Sequence, residues 1–128
     1  MKRNLILIAM AAIACLFAAC SPQSTPKQVV KTYWTAIQNE QYSEAVNLYY
    51  DIDGLFSEDS KELLSVLTRI QMAEYGKITS VKILSVEKTE KDKAVVAVEL
   101  TIENQTEPRV EAMDVVKVNG KWYIDFSI

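Results

Sequence analysis

The spacing of hydrophobic residues changes along this chain, and each change marks an element. After Met1, Lys2, Arg3 and Asn4, the chain runs from Leu5 to Cys20 without a charged or polar residue. Ser21, Pro22, Gln23, Ser24, Thr25 and Pro26 then turn abruptly polar. From Val29 the period is helical: Val29, Val30, Tyr33, Trp34 and Ile37 form one apolar stripe. Thr25, with Pro26 behind it and Gln28 three residues on, is a capping-box start with proline at the first helical position. Asn39, Glu40 and Gln41 interrupt the pattern. A second, shorter helix is predicted from about Tyr42 to Tyr50, with Ala45, Val46 and Tyr49 inward. Asp51 to Gly54 reads as a turn and Ser57 as an N-cap, with Glu58 and Asp59 well placed against the helix dipole. The third helix is predicted to turn Leu63, Leu67, Ile70 and Tyr75 inward, with Leu64 and Ala73 beside them, and to stop at Gly76.

From Ile78 onward the period is two. Val81 to Val86 is predicted as a strand that ends in the charged stretch Glu87 to Lys93. Val96, Val98, Leu100 and Ile102 alternate with Ala97, Glu99 and Thr101, the pattern of a half-buried strand. Val110 to Val118 and Lys121 to Ile128 flank Asn119-Gly120, which predicts a hairpin with a type I′ turn. That turn sets the register: Val118 opposite Lys121, Lys117 opposite Trp122, Val116 opposite Tyr123, Val115 opposite Ile124, Asp114 opposite Asp125 and Met113 opposite Phe126. The fold class is therefore α+β, with three N-terminal helices followed by a four-stranded antiparallel sheet.

Composition narrows the chemistry. The chain has 128 residues, 49% hydrophobic and 24% charged, and no histidine. A Ser-His-Asp triad, a Cys-His dyad and a His-ligated zinc are thereby excluded. The two cysteines, Cys15 and Cys20, both fall in or beside the apolar N-terminal run. That run is about four residues short of the roughly 20 that span a hydrocarbon core as a helix. A basic start, an apolar run and small residues before a cleavage point are the parts of a secretory signal.

Leu16-Phe17-Ala18-Ala19-Cys20 resembles the lipobox of bacterial lipoproteins. Phe17 departs from the leucine more usual at that position. The resemblance implies removal of residues 1–19, lipid on Cys20, a short linker over residues 20–25 and a domain over residues 26–128. Ser21 after the cysteine is similar to the pattern that permits export to the outer membrane. The implied address is the bacterial cell envelope, lipid-anchored, at an outer membrane facing the periplasm or the cell surface. Loss of Lys2 and Arg3 takes the formal charge from −3 to −5, with 12 basic against 17 acidic residues. An acidic surface of that kind argues against nucleic acid as a partner. The linker reaches at most about 20 Å, so the domain is expected close to its membrane.

The phrases TPKQVVKTYWTAIQNEQYSEAVNLY (25–49) and DVVKVNGKWYIDF (114–126) resemble the nuclear transport factor 2-like, or cystatin-like, superfamily, and more narrowly its bacterial lipoproteins of unknown function. The resemblance implies helices packed in the hollow of a bent sheet, a cone able to hold a ligand. Enzymes, binding modules and interaction domains all use that fold, so it assigns no activity. The expected function is a non-enzymatic binding or interaction module for a small ligand or an envelope protein, with a homodimer also open. The alternative is a small enzyme of isomerase or lyase type using a pocket carboxylate and a tyrosine. Its candidates are Asp114 or Asp125 with Tyr33, Tyr49 or Tyr123, although the register puts the aspartates on the face away from Val115 and Ile124. Tyr33, Trp34, Tyr49 and Trp122 are the candidate ligand-lining residues, since such rings bury their bodies while keeping a polar tip available. Asp51, Asp53, Asp59 and Glu62 match positions of a calcium loop, but Phe56 stands where that loop requires glycine. No metal and no cofactor are expected.

Overall fold

The computed structural model describes residues 21–50 and 58–125. The expectations for the N-terminal signal and Cys20, the turn and cap before residue 58, and the Met113–Phe126 opposition lie outside these residues. Helix α1 spans Pro26–Gln38, and the Thr25 hydroxyl accepts the Gln28 backbone N–H at 3.0 Å, closing one orphan donor of its first turn. Its stripe is the expected one: Val29, Val30, Tyr33, Trp34 and Ile37 are all buried. The helix ends in a Schellman arrangement. Glu40 takes φ 60°, its N–H reaches the Ile37 carbonyl at 3.1 Å, and the Gln41 N–H reaches the Ala36 carbonyl at 2.8 Å.

Helix α2 is only Tyr42–Val46, and strand β1, Tyr49–Tyr50, follows it. The expected helix to Tyr50 is therefore corrected at its end. The reason is tertiary: the Leu48 carbonyl accepts the Ile124 N–H at 2.7 Å, and Tyr49 and Tyr50 pair in parallel with Ile124 and Asp125. An open strand edge carries unpaired backbone groups, and two tyrosines suit extended backbone well.

Helix α3, Glu58–Tyr75, ends at Gly76, whose φ of 104° favours glycine. Its orientation corrects the sequence expectation. Leu63, Leu67 and Ile70 are 59%, 51% and 55% exposed, while Leu64, Thr68, Met72 and Tyr75 take the inward side. Both sets recur at helical spacing, about 100° apart on the helix. The choice falls to the neighbours: α3 packs against the short α2 and reaches the core only through Met72 and Tyr75.

Strands β2 (Ile78–Glu90), β3 (Lys93–Ile102), β4 (Arg109–Val118) and β5 (Lys121–Asp125) form an antiparallel meander. With β1 the sheet has five strands, in the order β1-β5-β4-β3-β2, rather than the four expected. Strand β2 also runs through most of the charged stretch that was expected to end it. Its backbone pairs with β3 as far as Glu90 opposite Lys93, and exposed side chains at a hairpin tip need not be apolar. Register shifts after Ile78, Ile83 and Lys88 bend this hairpin, as bulges do. Ala94, Val96, Val98, Leu100 and Ile102 are all buried, and α1 lies across this face of the sheet. The Asn119-Gly120 turn has both residues at positive φ, 52° and 82°, and the hairpin pairs Val118–Lys121 through Val115–Ile124 as the turn predicts.

Candidate functional site

The sheet divides the sequence candidates by face. Strand pairing puts Tyr49 beside Ile124 on the core side, and Tyr50 beside Asp125 on the other. The Tyr50 and Tyr123 rings pack on that outer side with centroids 5.6 Å apart. Asp114, exposed, lies opposite Val95 there. The two aspartates and Tyr123 are thus separated by the sheet from Tyr33 and Tyr49, and no carboxylate–tyrosine site forms among them.

On the core side three of the four candidate aromatic residues come together. The Tyr33 and Tyr49 hydroxyls share a hydrogen bond of 2.8 Å, and the Tyr33 ring meets Trp34 edge-on at 5.2 Å. Trp34 donates its Nε1–H to Met113 Sδ at 2.9 Å. Burial holds the Tyr33 hydroxyl well above the ordinary tyrosine range, with Tyr49 adding to the effect. Burial likewise raises Tyr49. Trp122 is buried in the same core, its backbone N–H donating to the Gln23 carbonyl at 3.0 Å while Gln23 Nε2 donates to the Trp122 carbonyl at 3.1 Å. Among the described residues, grooves run along the helices, and these four side chains do not line the three most pronounced.

A polar group that sequence reading missed sits on the core-facing side of β4. Strand pairing places Arg109 and Glu111 opposite Leu100 and Val98, on the face of buried Val115. The Tyr75 hydroxyl donates to Glu111 Oε1 at 2.9 Å, and Arg109 Nε donates to the same oxygen at 2.7 Å. The Arg109 guanidinium also lies 4.3 Å from the centre of the Tyr75 ring. Partial burial and then the Glu111 carboxylate push the Tyr75 hydroxyl up to about 12. The signal for Arg109 and Glu111 was present, because the twofold alternation of β4, carried back from Val115 through Met113, puts both inward. Tyr75 lies 36 residues away, and no local pattern joins it to them.

Chemically the trio meets at a single carboxylate oxygen. Glu111 Oε1 already accepts two donors, and Arg109 compensates its charge at close range. The arrangement ties the end of α3 to the sheet.

No protein-family model matches this chain, and no curated protein matches it. Solved structures do. A Campylobacter jejuni protein named as an NTF2-like transpeptidase superposes with a TM-score of 0.60 at 14% identity, covering 81% of this chain and 100% of its own. A Thiobacillus denitrificans protein, named as a calcium/calmodulin-dependent protein kinase type II association domain, gives 0.57 at 16% identity, covering 80% and 90%. A ketosteroid isomerase-like protein of Erwinia carotovora atroseptica gives 0.51 at 18%, covering 81% and 91%. Identities this low carry the fold and nothing finer. The three helices and bent five-stranded sheet described above are a nuclear transport factor 2-like fold.

Proposed function

We propose that this chain is a lipid-anchored protein of the bacterial cell envelope that works as a non-enzymatic interaction module. In this reading it engages another envelope protein through α3. The carrying observation is the strip Leu63, Leu67 and Ile70: three large aliphatic side chains at helical spacing, each more than half exposed. A contiguous exposed strip of this kind is a common mark of a contact surface, where scattered single residues are not. Asp59 and Glu74 lie along the same side of the helix, which favours a partner with basic residues around its own apolar patch. The packing of Tyr33, Trp34 and Trp122 into the core supports the non-enzymatic reading. The lipobox-like segment before Ser21 supports the anchor, held through Cys20.

A photo-crosslinking residue in place of Leu67, in the full chain within its own envelope, is expected to capture one protein. The same residue in place of Lys82 on β2 is expected to capture none. Equal yields from both positions overturn the α3 surface, and a product of twice the chain mass identifies a homodimer instead. For the anchor, Cys20→Ala is expected to abolish acylation and to slow or block signal cleavage. A variant that carries an unchanged mass of lipid overturns that assignment.

A further inference from the structure

A groove of about 640 Å³ opens where the end of α1, the α1–α2 connection and the last turns of α3 meet the start of β2. Its floor is apolar. Ile37 and Ile78 are buried there, with half-buried Met72 and with Ala73 beside them. Its rim carries two cations, Arg69 and Lys77, and one anion, Glu40. Among the described residues the one ion pair is Arg109–Glu111, so neither Arg69 nor Lys77 makes a direct ion pair with a described carboxylate. Tyr42, also on the rim, adds a hydroxyl donor. Burial and nearby Glu40 raise it, against a smaller opposing effect of Arg69, so it keeps its proton at neutral pH.

The balance of this rim is selective. In a chain of net charge −3, anions are repelled at long range, so capture of one in this groove rests on direct contact with Arg69 and Lys77. Glu40 offsets one cation, and Glu44 and Glu62 line the adjoining groove that shares Arg69. The C-terminal carbonyls of α1 and α3 add partial negative charge at the same place. A second negative charge on a ligand would therefore find no partner. We propose that the groove binds a monoanionic carboxylate with an apolar tail, a short- or medium-chain fatty acid. The carboxylate lies between Arg69 and Lys77 within reach of Tyr42, and the tail lies on Ile37, Met72, Ala73 and Ile78. Arg69 presents a planar fork that matches a carboxylate, while Lys77 acts as a point charge. This site is separate from the α3 strip, so either can fail without the other.

The probe is hexanoate, measured by equilibrium dialysis against the full chain in lipid nanodiscs, with empty discs as the blank. Saturable binding at one site per chain is expected. Hexanol, with the same tail and no charge, and hexanedioate, with a second charge, should each bind about tenfold more weakly or worse, the loss for one charge-assisted contact. Arg69→Gln with Lys77→Gln should weaken hexanoate by at least about tenfold, and Ala73→Trp should abolish binding by filling the floor. Both cations are exposed, so the double variant is expected to fold, with buried Trp34 and Trp122 reporting native packing by fluorescence. Lys82→Gln with Lys121→Gln removes the same charge elsewhere and should leave binding unchanged. The proposal is overturned by retention no greater than in empty discs, by hexanol or hexanedioate binding as well as hexanoate, or by equal losses in the two double variants.

Discussion

Leu100→Ala and Leu67→Ala delete the same atoms, yet the structure assigns them different costs. Leu100 is fully buried on β3 beneath α1, whereas Leu67 is 51% exposed on α3. Burying a leucine fully stabilises by about 1.5–3 kcal/mol, and the cavity left by its truncation adds a further term. The expected loss for Leu100→Ala is then about 3–5 kcal/mol, a large share of the roughly 5–15 kcal/mol typical of a domain. For Leu67 about half the transfer term applies at most, no closed cavity forms, and alanine is slightly the better helix former. The expected loss is about 0.5–1 kcal/mol. The two differ by at least about 2 kcal/mol, roughly thirtyfold in the unfolding equilibrium constant. Urea unfolding followed by the fluorescence of Trp34 and Trp122, both buried, measures each value. Equal losses above about 2.5 kcal/mol in both variants would refute the reasoning, because α3 would then turn Leu67 against the core, as periodicity alone suggested.

Three further outcomes are expected. Glu111→Gln removes the charge that opposes the Tyr75 phenolate, so that hydroxyl should fall from about 12 toward the ordinary tyrosine value, read by NMR titration of carbon-labelled tyrosine. The linked stability follows with a definite sign. Between about 10 and 12 the unfolded chain releases a proton that folded Tyr75 retains, so stability falls as pH rises through that window, and less so in Glu111→Gln. Glu40→Gly relieves a φ of 60° in the Schellman turn and is expected to stabilise by about 0.5–1 kcal/mol, while Glu40→Ala, still strained, should not; thermal unfolding distinguishes them. Gly120→Ala places a side chain at φ 82° in the hairpin turn and should destabilise by about 1 kcal/mol even though no atom lies within 4 Å of the new methyl group.

Several features of the site were legible in advance because they rest on short-range physics. The register of β4 against β5 follows from two turn residues, and with it the outward placement of Asp114 and the burial of Val115 and Ile124. The same reasoning, carried to Glu111, would have placed a carboxylate on the core side. What it could not supply is the partner. Tyr75 reaches Glu111 from the end of a helix, and whether that helix end arrives there depends on how α3 docks. The grouping of Tyr33 with Tyr49 likewise required β1 to leave the helix and join the sheet, bringing two hydroxyls to 2.8 Å. The groove lined by Arg69 and Lys77 has no sequence signature, since its walls come from α1, α3 and β2.

Local patterns alone were enough for the succession of three helices and four meander strands, the Thr25 cap, the α1 stripe, the alternation along β3 and the Asn-Gly hairpin. Each of these is decided within a few residues, by a capping hydroxyl, a helical or twofold period, or a backbone angle that few residues tolerate. Only the tertiary structure decided that Tyr49 and Tyr50 form a fifth strand. It also decided that Leu63, Leu67 and Ile70 face outward, and that Gln23 is held to Trp122 across 99 positions of sequence. In these cases the local alternatives were nearly equal in energy. A helix with two apolar stripes can bury either, and an aromatic pair can end a helix or extend a sheet. The surface offered by the rest of the chain selects between them, because burial and backbone pairing with distant residues outweigh propensities of a few tenths of a kcal/mol.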